Sequence, residues 1–173
     1  DEIASVTIAG RKGDVIVSDD EYIKKGVTLE SVAKLKSAFM KDGTVTAANA
    51  SGINDGAAAL LVCEAKRADE MGWAARASIV ESAWAGVEPQ VMGLGPIPAA
   101  RKLCQKMGVS PGEFDLVELN EAFAVQALAV IRELGLDEER VNVNGSGIAL
   151  GHPIGATGAR IVVTLLHEME KRN

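Results

Sequence analysis

The stretch at residues 114–135, "FDLVELNEAFAVQALAVIRELG", decides the fold class, because it runs from one element into another of different kind. "FDLVEL" reads as a buried strand, and it leads directly into "NEAFAVQALAVIRELG", a helix closed by Gly135. Upstream, "ARASIVESAWAG" reads as a strand, "VMGLGPIP" as a glycine and proline loop, and "AARKLCQKMG" as a helix closed by Gly108. Downstream, "RVNV" is a short strand and "ARIVVTLLHEMEKR" an amphipathic helix. Strands alternating with helices predict a layered α/β fold with a parallel or mixed sheet.

The first third follows the same logic. Val6–Ile8 and Val15–Val17 flank the turn "GRKGD" and predict a hairpin. "TLESVAKLKSAF" predicts a helix with Thr28 as N-cap, Glu30 in the first turn, and Leu29, Val32, Leu35 and Phe39 at helical spacing. "DGTVTAANASGINDGAAALLV" passes from turn formers into an expected strand, Ala57–Val62. After it, "CEAKRADEMG" reads as a polar helix closed by Gly72.

With 47% apolar residues and 3% aromatics among 173, the chain can bury a core of Ala, Val, Ile and Leu. A formal net charge of −6 argues against a nucleic-acid surface. No apolar run approaches the roughly 18 residues of a membrane span. Cys63 and Cys104 are far apart, no signal peptide opens the chain, and cytoplasm is the expected compartment. Opening without methionine and stopping straight after a helix, the chain reads as a piece of a longer one.

Candidate chemistry gathers in two places. "NGSGIALGHPIGATGAR", residues 144–160, sets His152 among glycines. Its GxGxxxG spacing is one residue too long for a dinucleotide fingerprint, and there is no Walker lysine, which disfavours phosphate. Gly151 leaves the backbone free before His152 and Pro153 fixes it after, while Gly155 and Gly158 are expected to let the next helix approach another backbone closely. A capping or core histidine is the alternative. Asn120 and Glu121 sit where the central strand meets its helix; Asn120 can orient a water or a carbonyl oxygen, or simply cap the helix. Together Asn120 and His152 suggest an oxyanion hole for a thioester. No nucleophile accompanies them: Cys63 and Cys104 read as inert buried thiols, and no GxSxG occurs. His152 and His167 are too isolated for a metal site, and His167 is expected in a final helical turn, as a structural residue.

"NEAFA" and "NGSGIALGHPIGATGAR" closely resemble two signature segments of the thiolases, the acetyl-CoA acetyltransferases and 3-ketoacyl-CoA thiolases. "RKGDVIV", "DGTVTAANASGINDGAAALLV" and "VMGLGPIPAARK" resemble the preceding segments in the same order, so the resemblance covers nearly the whole chain and looks closest to the short-chain biosynthetic type. It implies a layered α-β-α-β-α fold, here an incomplete piece with a mixed sheet covered by helices. Residues 1–53 would be the end of an inserted loop domain, 54–73 the last elements of the N-terminal half, and 74–173 the C-terminal half lacking its final strands.

The same resemblance implies that His152 activates a nucleophilic cysteine and binds the thioester oxygen, with Asn120 holding a water in that oxyanion hole. Ser51 would lie along the pantetheine arm of CoA, and Ser31, Phe39, Met92 and Phe123 would line the CoA or acyl channel. Lys24, with Arg11 and Lys12, would meet CoA phosphates or adenine, or be merely solvated. The acyl-accepting and acid/base cysteines of the family fall before Asp1 and after Asn173, and "NGSG" stands where "NGGA" is commoner. The implied activity is interconversion of two acetyl-CoA with acetoacetyl-CoA and CoA, with CoA a substrate, no cofactor and no metal. A homodimer or homotetramer is implied for the complete enzyme, and inactivity for this chain alone. The alternatives are a non-catalytic CoA-binding fragment or subunit that pairs with a complementary chain, and a carrier-protein condensing enzyme, for which His167 is poorly placed.

Overall fold

The computed structural model describes residues 3–172, so residues 1, 2 and 173, at the outer ends of the expected 1–53 and 74–173 stretches, lie outside it. The core lies between two helices, α3 (Pro96–Met107) and α4 (Ala124–Leu134), labelled so because two shorter ones precede them. Ala127, Val130, Ile131 and Leu134 recur three or four residues apart and form the inward stripe of α4. Ile97 of α3 and the extended residues Leu119 and Val141 close on that stripe, leaving Val130 only 1% exposed. Both helices end at glycines in left-handed conformation, Gly108 and Gly135, as expected.

α4 does not begin at Asn120. Phe123 is its N-cap, and the residues before it stay extended because they pair with an earlier segment. Ser51 N–H donates to Ala122 O at 3.0 Å and Ala124 N–H to Asn49 O at 2.9 Å, around an antiparallel bridge between Ala50 and Phe123. Asn120 is therefore no cap, and its side chain is free for another use.

The hairpin forms as expected: β1 (Val6–Ile8) pairs antiparallel with β2 (Val15–Val17), Val6 opposite Val17. Thr28 caps α1 (Leu29–Ala33), but this helix stops well short of Phe39. Its intended stripe has nothing to face (Leu29 is exposed), and Ser37 bridges Thr46 instead of continuing the helix. The polar helix α2 (Ala65–Met71) ends at Gly72.

The other expected strands form no ladder among the described residues. Residues 57–62 and 75–86 are neither helical nor paired, with Leu61 81% and Val80 77% exposed. A strand is a paired state, and among the described residues no strand pairs with either segment. Residues 117 and 141 do meet, in a parallel bridge. The molecule is thus a mixed α/β piece of helices, one two-stranded sheet and isolated bridges. Cys104 is buried in α3 as expected, whereas Cys63 is exposed, because the strand meant to bury it has no neighbour.

Two helices frame the glycine-rich stretch: α5 (Gly147–Leu150) and α6 (Thr157–Arg172). The buried positions of α6 are Thr157, Thr164 and Glu168, so polar bonds hold its inner face. Glu168 accepts from Asn144 Nδ2 at 2.8 Å and from Arg172 Nε at 2.6 Å. His167 lies upstream of the last turn, whose basic residues are Lys171 and Arg172.

Candidate active site

The site is built where residue 119 ends its extended run. Val117 N–H donates to Arg140 O and Asn142 N–H to Val117 O, both at 2.9 Å. At Asn142 the backbone turns left-handed, with φ 51°. Its side-chain amide then replaces the missing ladder peptide: Leu119 N–H donates to Asn142 Oδ1 at 2.7 Å, and Asn142 Nδ2 donates to Leu119 O at 2.8 Å. Asn120 follows immediately.

His152 arrives from the other side. Gly151 has φ 101°, and a Cβ there would lie 2.6 Å from Asn54 Cγ, so both conformation and space require glycine. His152 N–H is shared by Gly52 O and Asn54 Oδ1, each at 3.2 Å. Pro153 packs on Gly56, where a Cβ would meet it at 2.7 Å. The close approach expected at Gly155 and Gly158 is not made. A Cβ at either would meet nothing within 4 Å, and Gly155 instead lines an open cleft of about 360 Å³ with Asn54, Asp55 and Ala156.

The two side chains converge. Asn120 Nδ2 lies 3.4 Å from His152 Nε2, and His152 Nδ1 lies 2.8 Å from Thr157 Oγ1. Thr157 Oγ1 also lies 3.0 Å from Pro153 O, so the threonine hydroxyl sits between that carbonyl and the imidazole. In the tautomer with its proton on Nδ1, the ring donates to Thr157 Oγ1 and turns a lone pair at Nε2 toward Asn120. The 3.4 Å contact is long for a hydrogen bond, which leaves both groups available to a third atom. Asn120 Oδ1 is buried and has no partner among the described residues. A ring that carries a proton at Nε2 is a donor there, so it and the Asn120 amide present N–H groups side by side.

Of the other residues expected at the site, Ser51, Phe39 and Phe123 lie close together. Ser51 Oγ donates to Ala122 O at 2.9 Å, and the Phe39 and Phe123 rings meet edge to face at 5.9 Å. Met92 is exposed on the 3₁₀ turn Pro89–Leu94, which packs against α4. Ser31 is engaged in the capping box of α1 with Thr28. Lys24 is exposed and unpaired among the described residues, as are Arg11 and Lys12 in the hairpin turn. No cluster of three or more metal-ligating side chains occurs among the described residues, and none of their helices is long and apolar enough to cross a membrane.

Sequence reasoning missed Thr157, Asn142 and Asn54. Only the bare presence of polar residues near glycines signalled them. Glu121, expected at the N-terminus of its own helix, instead accepts through Oε2 from Ile148 N–H of α5 at 3.2 Å. Beneath the site, Arg160 Nη1 approaches the buried Glu118 Oε2 at 3.8 Å, and Arg160 Nη2 donates to Ser146 Oγ at 3.4 Å.

Residues 73–173 match the sequence profile of the thiolase C-terminal domain, and residues 1–66 that of the thiolase N-terminal domain. The chain belongs to the thiolase family. It is 57% identical over 173 residues to an acetyl-CoA acetyltransferase of Paracoccus denitrificans, covering 100% of this chain and 44% of that protein. Among solved structures, the Bacillus anthracis acetyl-CoA acetyltransferase superposes with a TM-score of 0.92 at 53% identity, covering 98% of this chain and 43% of that one. Human mitochondrial 3-ketoacyl-CoA thiolase in complex with CoA superposes with a TM-score of 0.84 at 40% identity, covering 96% and 42%. This thiolase chain thus spans less than half the length of the relatives it matches.

Proposed function

We propose that residues 1–173 carry the asparagine and histidine of a thiolase acyl-transfer site. The complete polypeptide interconverts two acetyl-CoA with acetoacetyl-CoA and CoA, with CoA as substrate and no cofactor. The observation that carries this reading is the geometry of Asn120 Nδ2, His152 Nε2 and Thr157 Oγ1. A cysteine thiol supplied from outside these residues adds to the thioester carbonyl carbon, and its proton passes to His152 Nε2. The C–S bond of the thioester then breaks, and the departing CoA sulfur takes that proton back. In the second step a base from outside these residues takes a methyl proton of the second acetyl-CoA, and Asn120 (through a water) and His152 hold the resulting enolate oxygen. The enolate carbon bonds to the acyl carbon and displaces the cysteine sulfur.

Ser51 is assigned to the pantetheine arm, Ser31, Phe39, Met92 and Phe123 to the CoA or acyl channel, and Lys24 to the CoA phosphates or adenine. Residues 1–53, 54–73 and 74–173 are read as the end of a loop domain, the end of the N-terminal half and most of the C-terminal half. The working form is proposed to be a homodimer or homotetramer, and the cytoplasm its compartment. CoA-dependent cleavage of acetoacetyl-CoA tests the reading: the complete polypeptide should turn over, and its failure to do so would overturn the assignment. Residues 1–173 alone should show no turnover, since neither exposed Cys63 nor Cys104, buried in α3, matches a catalytic cysteine of the family.

One observation favours a second reading, a CoA-binding fragment that pairs with a complementary chain. Residues 57–62 and 75–86 expose apolar side chains on backbone with no ladder partner. Light scattering on the isolated chain should then show self-association, and a monodisperse 18.1 kDa monomer would count against it.

A further inference from the structure

We infer that Asn142 is the positioning residue that sets the distance between Asn120 and His152; the inference rests on the acyl-transfer reading above. Its side chain touches neither, yet it holds the residues on both sides of Asn120. Leu119 is bound through N–H and C=O, at 2.7 and 2.8 Å, and Glu121 Oε1 accepts from Asn142 Nδ2 at 3.1 Å. Both amide hydrogens and the amide oxygen are thereby used, so the side chain has one orientation. Asn120 is the residue left over between two clamped neighbours, and its own side chain is turned toward the histidine.

The clamp continues to the other loop. Glu121 uses its second oxygen on Ile148 N–H at 3.2 Å, and Ile148 belongs to α5, which leads straight into Gly151 and His152. Fully buried Ser146, at the start of α5, also donates to Leu119 O at 3.2 Å. One amide and one carboxylate therefore join the backbone before Asn120 to the backbone before His152. The left-handed turn at Asn142 is part of the device. A regular strand would oppose Leu119 with its next peptide, whereas φ 51° carries the backbone away and leaves the side chain in that place. An arrangement fixed on both sides in this way holds two donors at one spacing without asking either to be rigid on its own.

The test uses the complete polypeptide and acetoacetyl-CoA thiolysis. Asn142→Gly removes the amide while accepting the left-handed backbone. It should lower kcat about tenfold with KM little changed. On an Asn120→Ala background the same substitution should have no further effect, since the group it positions is gone. Glu121→Gln keeps the size but offers one acceptor oxygen, and should show a smaller loss with the same dependence on Asn120. If Asn142→Gly fails to fold, Glu121→Gln decides alone. Wild-type kcat in the folded variants, or a loss fully additive with Asn120→Ala, would overturn the inference. Absence of thiolysis by the wild-type polypeptide would overturn the acyl-transfer reading, and the inference with it.

Discussion

In the proposed mechanism Thr157 Oγ1, 2.8 Å from His152 Nδ1, accepts from that ring nitrogen and leaves Nε2 free to take a proton. Removing that acceptor frees the ring to flip or change tautomer, so Thr157→Val should lower kcat for thiolysis by about tenfold, whereas Thr157→Ser should retain most of it. Steady-state kinetics of the two variants checks this, and equal rates would remove Thr157 from the mechanism. His152 and Asn120 were legible in the sequence because their residue types announce chemistry and their flanking segments resemble thiolase signatures. Thr157 and Asn142 were not. The importance of Asn142 follows from a φ of 51° and three bonds to residues more than twenty positions away, which spacing along the chain does not encode.

At the scale of elements, α6 is held by polar contacts on its buried face. Asn144 and Arg172 hydrogen-bond the Glu168 carboxylate and hold it below the usual carboxylate range. With the folded pKa lowered, the unfolded state binds more protons near that range, so this contribution is present above the ordinary glutamate pKa and is lost as pH falls through the lowered one. Glu168→Gln should therefore lower the melting temperature at pH 7. The gap to wild type should close in acid, and a gap independent of pH would refute the assignment. The helices were legible because their glycine stops and apolar spacing are local signals. The start of α4 was misplaced by four residues, from Asn120 to Ala124, since residues 49–51 compete for the intervening backbone. The strands at 57–62 and 75–86 were apolar enough to be expected, but a strand depends on a neighbour that composition does not name.

For the whole molecule, the family was legible because several segments matched in order over nearly the full length, and a single glycine-rich loop would not have sufficed. The chain brings Asn120 and His152 together within 173 residues, from loops 32 positions apart that are braced by residues 49–54. In the proposed mechanism these residues form the oxygen-binding side of the site, and a cysteine outside them is the nucleophile. The most direct measurement is the kcat for acetoacetyl-CoA thiolysis by the complete polypeptide carrying Asn120→Ala. Loss of one donor aimed at the developing charge should reduce kcat about 100-fold with KM near the wild-type value. A wild-type kcat would mean that Asn120 and His152 do not serve a common oxygen, and the account of the site would fall.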